Sequence, residues 1–486
     1  MSAKRESMSS VDVAWLRMDR PSNLMVICGV LVLDERVPIT RLRSTIAKRF
    51  LRFARFRQRP VPAAAGYEWR TDESFDLARH VVRATLPAGG GDEELEALVS
   101  RLVSEPLDHR HPLWQFHLVP NYKRGSALIL RIHHCYADGI ALIQVLLSMT
   151  DADRDGAGPD SAPTTPRGRS DSEEDPLTQL LAPLTGVLKM ASSAGSTLLA
   201  KGGELLRDPA QAIALAQQGG ALAGEIAKLA LMSEDSATRF KGAPGIAKRV
   251  AWAKPIALGD VKAIGKALGC SVNDVLLASV AGALRAYLVR RGESVDGVMM
   301  RALVPVNLRP PEKTYRLGNK FGLVFLDLPI GIENPVARLY AVRANMQALK
   351  GSYQPVIALG ILAAMGAGPQ VLQEQLLAML ARNATAVMTN VPGPQQPLYF
   401  ARARMERLMF WVPQSGNIGM GVSIITYAGG VQFGLITDRN LCPDPERVID
   451  RFAPEFEKLV LATLMAPWPW ETPPTAEEMQ QVAAPA

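Results

Sequence analysis

Histidine is sparse and lopsided in this 486-residue chain: there are six, His80, His109, His111, His117, His133 and His134, and none beyond residue 134. If an imidazole is the working base, everything downstream can only shape its pocket. Cysteine is scarcer still. Cys28, Cys135, Cys270 and Cys442 are scattered without pattern, which excludes a disulfide framework and suits a reducing cytoplasm. No Cys/His/Asp grouping has zinc-like spacing, so no metal is expected. A run of about 20 apolar residues, the length needed to cross a bilayer, is also missing. The best candidate, Val356 to Ala367, is shorter and is flanked by Pro355 and Pro369; it reads as a core helix or a lipid-surface contact. Asp12, Arg17, Asp19 and Arg20 break the apolar core that an export signal would need. Nor is there a Gly-x-Ser-x-Gly elbow to supply a serine nucleophile: Gly168-Arg-Ser170, Gly269-Cys-Ser271 and Gly421-Val-Ser423 all lack its second glycine. No internal repeat is found.

What is present fits a soluble globular protein, with 48% hydrophobic and 21% charged residues. The length exceeds what one core usually serves, so two domains are expected. The net charge of +7 favours anionic partners such as an acidic bilayer or a phosphorylated carrier. Its cations are spread along the chain and do not form a nucleic-acid-binding tract. Between Asp151 and Pro176 small and polar residues displace the large apolar ones, as in a linker. Leu177 to Met232 is rich in Ala, Leu and Gly and reads as loosely patterned helices that cover a domain, line a lipid entrance or adsorb to a membrane. The expected division is therefore 1–150, a linker and helical insertion over 151–247, and a second domain over 248–486. Ser126 to Ile132 reads as a buried strand and Ile140 to Met149 as a helix. Asp260 to Leu268 and Val272 to Tyr287 read as helices, the latter introduced by Ser271 and Asn273-Asp274, residues suited to a helix N-terminus. Strand-like runs follow at Met299 to Val306, Phe321 to Leu328, Gly421 to Tyr427 and Val431 to Ile436, with a hairpin turn at Tyr427 to Gly430. Mixed α/β is the fold class that results.

The chemistry concentrates at His133-His134-Cys135-Tyr136-Ala137-Asp138-Gly139. Two adjacent imidazoles and a carboxylate occupy the corner between strand and helix, and Gly139 permits the turn. Histidine, with a pKa near 6.5, can take and return a proton near neutrality. Successive strand side chains point to opposite faces, so one histidine serves as base and the other is structural.

The motif His133-His134-x-x-x-Asp138-Gly139 is preceded by Pro112-Leu113-Trp114 and followed by Ser271-Val-Asn273-Asp274-Val275. Further on come Val304-Pro-Val-Asn-Leu-Arg309, Asn390-Val-Pro-Gly-Pro394 with Pro397-Leu-Tyr399, and Phe433-Gly-Leu-Ile-Thr-Asp438. In this order, from about Val11 to Phe452, the chain resembles the bacterial wax ester synthase/diacylglycerol acyltransferase family. The resemblance implies two domains similar to chloramphenicol acetyltransferase, with the active site in a tunnel at their interface. It makes His134 the general base, supported by His133. Asp138 becomes a structural clamp paired with an arginine, and Arg57 is the candidate partner. Pro112, Leu113 and Trp114 either shape an acyl channel or pack the core, while Asn273 and Asp274 either contact substrate or cap a helix.

The reaction implied moves a long-chain acyl group from acyl-CoA, as co-substrate and with no further cofactor, to a diacylglycerol or a long-chain alcohol. The expected place is the cytoplasm, peripherally on the inner membrane face or on lipid inclusions. Three alternatives stay open: a carrier-dependent condensation-type enzyme, a non-catalytic lipid-binding or lipid-droplet protein, and, from the His133-x-x-x-x-Asp138 spacing, a glycerol phosphate acyltransferase.

Overall fold

A computed structural model describes residues 6–64, 66–155, 232–308, 317–349, 352, 354–367, 373–374 and 382–466. The expected linker and Ala-, Leu- and Gly-rich helices fall almost wholly outside these residues, as does Arg309.

Two seven-stranded sheets and a small three-stranded one, of Glu6–Ser7, Gly66–Thr71 and Gln58–Ala63, are formed by the described residues. The first runs in the order Val81–Arg83, Trp114–Val119, Ser126–His133, Val26–Leu33, Ala403–Trp411, Tyr399–Phe400, Thr150–Asp151. Its two central strands pair antiparallel, with Val26 opposite His133 and Leu33 opposite Ser126. Both read as nearly unbroken apolar runs because both of their faces are covered. Ile27, Leu31, Leu128, Leu130 and Ile132 pack with helix Gly139–Leu147 in one core. Cys28, Val30, Val32 and Ile129 point the other way and meet Trp252 and Trp411 in a second.

The second sheet orders Ile256–Ala257, Gly430–Asp438, Met420–Tyr427, Ala386–Pro392, Met300–Asn307 and Phe321–Leu328, and Lys248–Trp252 also pairs with Gly430–Asp438. Parallel pairings of Ala386–Pro392 with both its neighbours sit among antiparallel ones, so the sheet is mixed. Ala428 and Gly429 have φ of 47° and 79°, the left-handed pair that a two-residue hairpin needs. Helix Val272–Arg290 is, among the described residues, long and apolar enough to cross a membrane, but it is packed inside the core of this lobe. Helix Gln354–Ala367, which contains the Val356 to Ala367 run, packs against helix Ser10–Met18 and strand Phe321–Leu328.

One sequence expectation needs amendment. The second domain is not the uninterrupted stretch 248–486, because Tyr399–Phe400 and Ala403–Trp411 leave it to pair with Thr150–Asp151 and Val26–Leu33 of the first sheet. A second bond between the lobes is made by side chains. Along helix Asp92–Val103 and its C-cap, Glu96, Ser100 and Ser104 accept the backbone N–H groups of Trp252, Val250 and Lys248, at 3.1, 2.9 and 2.9 Å. Four residues of helix rise about 6 Å and two residues of strand about 6.6 Å. The two periods nearly match, so one helix face stands in for a neighbouring strand and satisfies an edge.

Candidate active site

Strand Ser126–His133 ends on His133, whose N–H donates to Leu113 O at 2.9 Å. The chain then turns. His134 N–H donates to Met25 O at 2.7 Å and Tyr136 N–H returns to His133 O at 3.1 Å. Asp138 caps helix Gly139–Leu147, one carboxylate oxygen accepting Ala141 N–H at 2.9 Å and the other Lys320 N–H at 3.1 Å. Asp138 thus ties a helix N-terminus to the residue that precedes strand Phe321–Leu328 of the other lobe. Arg57 is not its partner: it lies exposed in the Ala54–Arg57 turn, whereas Asp138 is buried.

His134 stands at the seam of the two lobes. Its ring stacks on Trp15 at 3.9 Å between centroids and lies 5.7 Å from the Phe321 ring. Its carbonyl accepts from Asn319 Nδ2 at 2.9 Å, and the same amide donates to buried Asp12 at 2.8 Å. Its Nδ1 is enclosed and has no hydrogen-bond partner among the described residues. Burial pushes the imidazole down to about 4, against the pull of Asp138, so it is neutral and able to accept a proton at pH 7.

His133 points elsewhere. Its Nδ1 accepts Cys135 N–H at 3.1 Å and its Nε2 faces Asp19 Oδ2 at 3.7 Å. His109 Nε2 approaches the same oxygen at 3.5 Å. Burial raises Asp19, but the two imidazoles and Met25 N–H outweigh it and hold the carboxyl below its ordinary range.

A cavity of about 570 Å³, with the solvent at its mouth counted in, lies between helix Gly139–Leu147 and the first sheet. Its lining is entirely apolar and includes Gly29, Leu130, Ile132, Leu142 and Gly139 of the motif, with Ile425 of the second sheet on one side. Neither His133, His134 nor the expected channel residues are among its lining residues. Leu113 and Trp114 are fully buried, and Trp114 Nε1 donates to Phe56 O at 2.8 Å inside a cluster with Phe50, His80 and Phe116. Pro112-Leu113-Trp114 therefore packs the core, and Trp114 opens an inner strand, with partners on both sides. Asp274 closes a capping box with Ser271, at 2.8 and 3.2 Å. Asn273 accepts from Asn390, which unites two of the sequence motifs. Asp438, from a third, forms a buried ion pair with Lys248 at 2.7 Å.

Residues 8–276 match the wax ester synthase/diacylglycerol acyltransferase catalytic domain model, and residues 317–460 match the C-terminal domain model of the same family. The chain belongs to this family. A Mycobacterium tuberculosis protein named a probable diacylglycerol O-acyltransferase, tgs2, is 30% identical over 405 residues, covering 81% of this chain and 84% of its own length. A second such protein from that organism, tgs1, is 27% identical over 419 residues, covering 82% and 83%. Among solved structures, a wax ester synthase/diacylglycerol acyltransferase from Marinobacter aquaeolei VT8 superposes with a TM-score of 0.67 at 21% identity, over 94% of this chain and all of that one. The starter condensation domain of rhizomide synthetase gives 0.56 at 14% identity, over 96% of both chains. The fold is the two-lobed one expected of a wax ester synthase/diacylglycerol acyltransferase.

Within this family member, sequence reasoning found His133, His134, Asp138 and Gly139 but missed Trp15, Asp19 and Asn319. Asp19 was legible only as a charge that breaks a signal peptide. Trp15, four residues before it on the helix Ser10–Met18, carries no motif at all. Both reach the histidines through tertiary packing, which no local spacing announces.

Proposed function

We propose that the chain transfers a long-chain acyl group from acyl-CoA to the hydroxyl of a diacylglycerol or a fatty alcohol, with His134 as general base. His134 takes the hydroxyl proton as the oxygen attacks the thioester carbonyl. The tetrahedral oxyanion collapses, the carbon–sulfur bond breaks, and the imidazolium returns the proton to the CoA thiolate. Proton and electron pairs balance between alcohol, thioester and one imidazole, so the reaction calls for no cofactor beyond the acyl-CoA co-substrate.

The observation that carries this reading is a neutral, ring-stacked His134 at the seam of the lobes, in the same strand-to-helix corner as Gly139, which lines an apolar cavity. Such a cavity suits an acyl chain, since each methylene moved out of water contributes about 0.8 kcal/mol. Both lipid substrates partition into membranes, and a net charge of +7 favours an anionic surface. Peripheral attachment to the inner membrane face or to lipid inclusions is the location that goes with this reading.

The test is product formation by the purified chain from palmitoyl-CoA with hexadecanol or with a diacylglycerol. Wild type is expected to form ester with at least one acceptor, and His134→Ala to lose about 100- to 10,000-fold in turnover while remaining folded by circular dichroism. Near-wild-type turnover in a folded variant would refute the assignment of the base. Turnover with a carrier-bound acyl thioester but not with acyl-CoA would replace the donor.

A further inference from the structure

We infer that Asp19 is a positioning residue, which fixes the two peptide groups on either side of His134 and so holds the base in place; this rests on His134 being that base. Two arms run from this carboxylate. Asp19 Oδ1 accepts Met25 N–H at 2.7 Å, and Met25 O in turn accepts His134 N–H at 2.7 Å. Asp19 Oδ2 faces His133 Nε2 at 3.7 Å, and His133 Nδ1 accepts Cys135 N–H at 3.1 Å. One carboxylate thus governs the N–H that enters His134 and the N–H that leaves it.

The second arm also specifies a tautomer. Cys135 N–H can donate only to a bare Nδ1, so the neutral ring carries its proton on Nε2, directed at Asp19. That Nε2 is enclosed and has no hydrogen-bond partner among the described residues, and 3.7 Å is too long for a bond. The attraction is therefore electrostatic in the unliganded state. A shift of under about 1 Å would complete the bond, the kind of tightening seen when a site binds its substrate.

His133 is not placed for direct work in the cavity. Leu130 and Ile132 line the cavity from strand Ser126–His133, and His133, next along the pleat, points to the opposite face. His109 is half-exposed and shares the same Asp19 oxygen, with its ring centroid 6.2 Å from that of His133. It holds the carboxylate from the solvent side. Asp19 also lies at the C-cap of the helix Ser10–Met18 that carries Trp15. One element therefore stacks on the His134 ring and anchors its backbone.

Asp19→Asn keeps an acceptor for Met25 N–H but turns an amide donor toward the Nε2 proton. The expected result is a fall in kcat of about 10- to 100-fold, the range for a partner that orients a working group, with KM for both substrates changed by no more than about twofold. In 15N-histidine NMR of the full chain, the His133 signals should leave the Nε2–H tautomer pattern. Asp19→Glu should recover part of the rate.

If Asp19 acts through His133, the Asp19→Asn/His133→Asn double variant should be no slower than the slower single one. The inference is overturned by a wild-type rate and an unmoved His133 signal in Asp19→Asn, or by additive losses in the double variant. Should Asp19→Asn fail to fold, Asp19→Glu combined with His133→Asn completes the same cycle. Loss of activity in His134→Ala alongside a normal Asp19→Asn would remove this role only, whereas an active His134→Ala would remove the base itself.

Discussion

Gly29 offers a direct way to shorten the proposed acyl seat. It sits in strand Val26–Leu33 and lines the cavity. A Cβ placed there would meet Met409 O at 3.6 Å and the Leu130 side chain at 3.7 Å, which is ordinary contact, so the backbone tolerates a larger residue. Gly29→Leu adds four carbons directed into the space below helix Gly139–Leu147. If these displace about four methylenes of a bound chain, each worth about 0.8 kcal/mol, the loss is about 3 kcal/mol, or roughly 150-fold in kcat/KM for a long chain. A chain too short to reach the added side chain loses nothing. The assay is kcat/KM across octanoyl-, dodecanoyl- and palmitoyl-CoA at fixed acceptor. The expected outcome is a collapse confined to the longer donors. An unchanged palmitoyl-to-octanoyl ratio in a folded variant would show that the acyl chain lies elsewhere.

Two stability predictions rest on other buried groups. At Gly282, in helix Val272–Arg290, an added Cβ would overlap the Arg338–Glu455 ion pair, which is nearly inaccessible and closes at 2.5 Å. Arg338 is also committed to Ala278 O, Ile332 O and Glu333 O, each at 3.0 Å. Gly282→Ala should therefore destabilise by about 2–4 kcal/mol, a broken buried pair less the helix propensity gained, and calorimetry showing an unchanged Tm would contradict it. Burial raises Glu96 to about 7, with help from Asp92 and Glu446. Because its folded pKa lies above the unfolded one, it favours the native state below pH 4.5 and loses that contribution as pH climbs through 7. Wild-type Tm should carry a downward component over this window that Glu96→Gln lacks, and identical Tm–pH curves would sink the idea.

Much of the second lobe was readable because its signals are local. Ser271 and Asp274 cap a helix by their spacing alone, and Tyr427 to Gly430 turns by its small residues. Phe321–Leu328 appears with the bounds its composition suggests. The seven-residue histidine motif was readable for the same reason: strand, corner and helix cap follow one another in the chain. Its partners were not. Nothing near Arg57 distinguishes it from the other arginines of that stretch, and among the bonds that Asp138 accepts is a backbone N–H 182 residues away.

By itself, then, the sequence determined the elements, the family and the pair of histidines, because caps, turns and pleats are set by neighbours a few residues apart. Only the tertiary structure decided what surrounds each of the two histidines. It brought Trp15 and Phe321 to the His134 ring, Asn319 to the His134 carbonyl and Asp19 to the His133 ring, and carried Ala403–Trp411 across to the first sheet. Such contacts depend on how faces of sheets and helices cover one another, and burial, the cause of the lowered His134 pKa, exists only once they have.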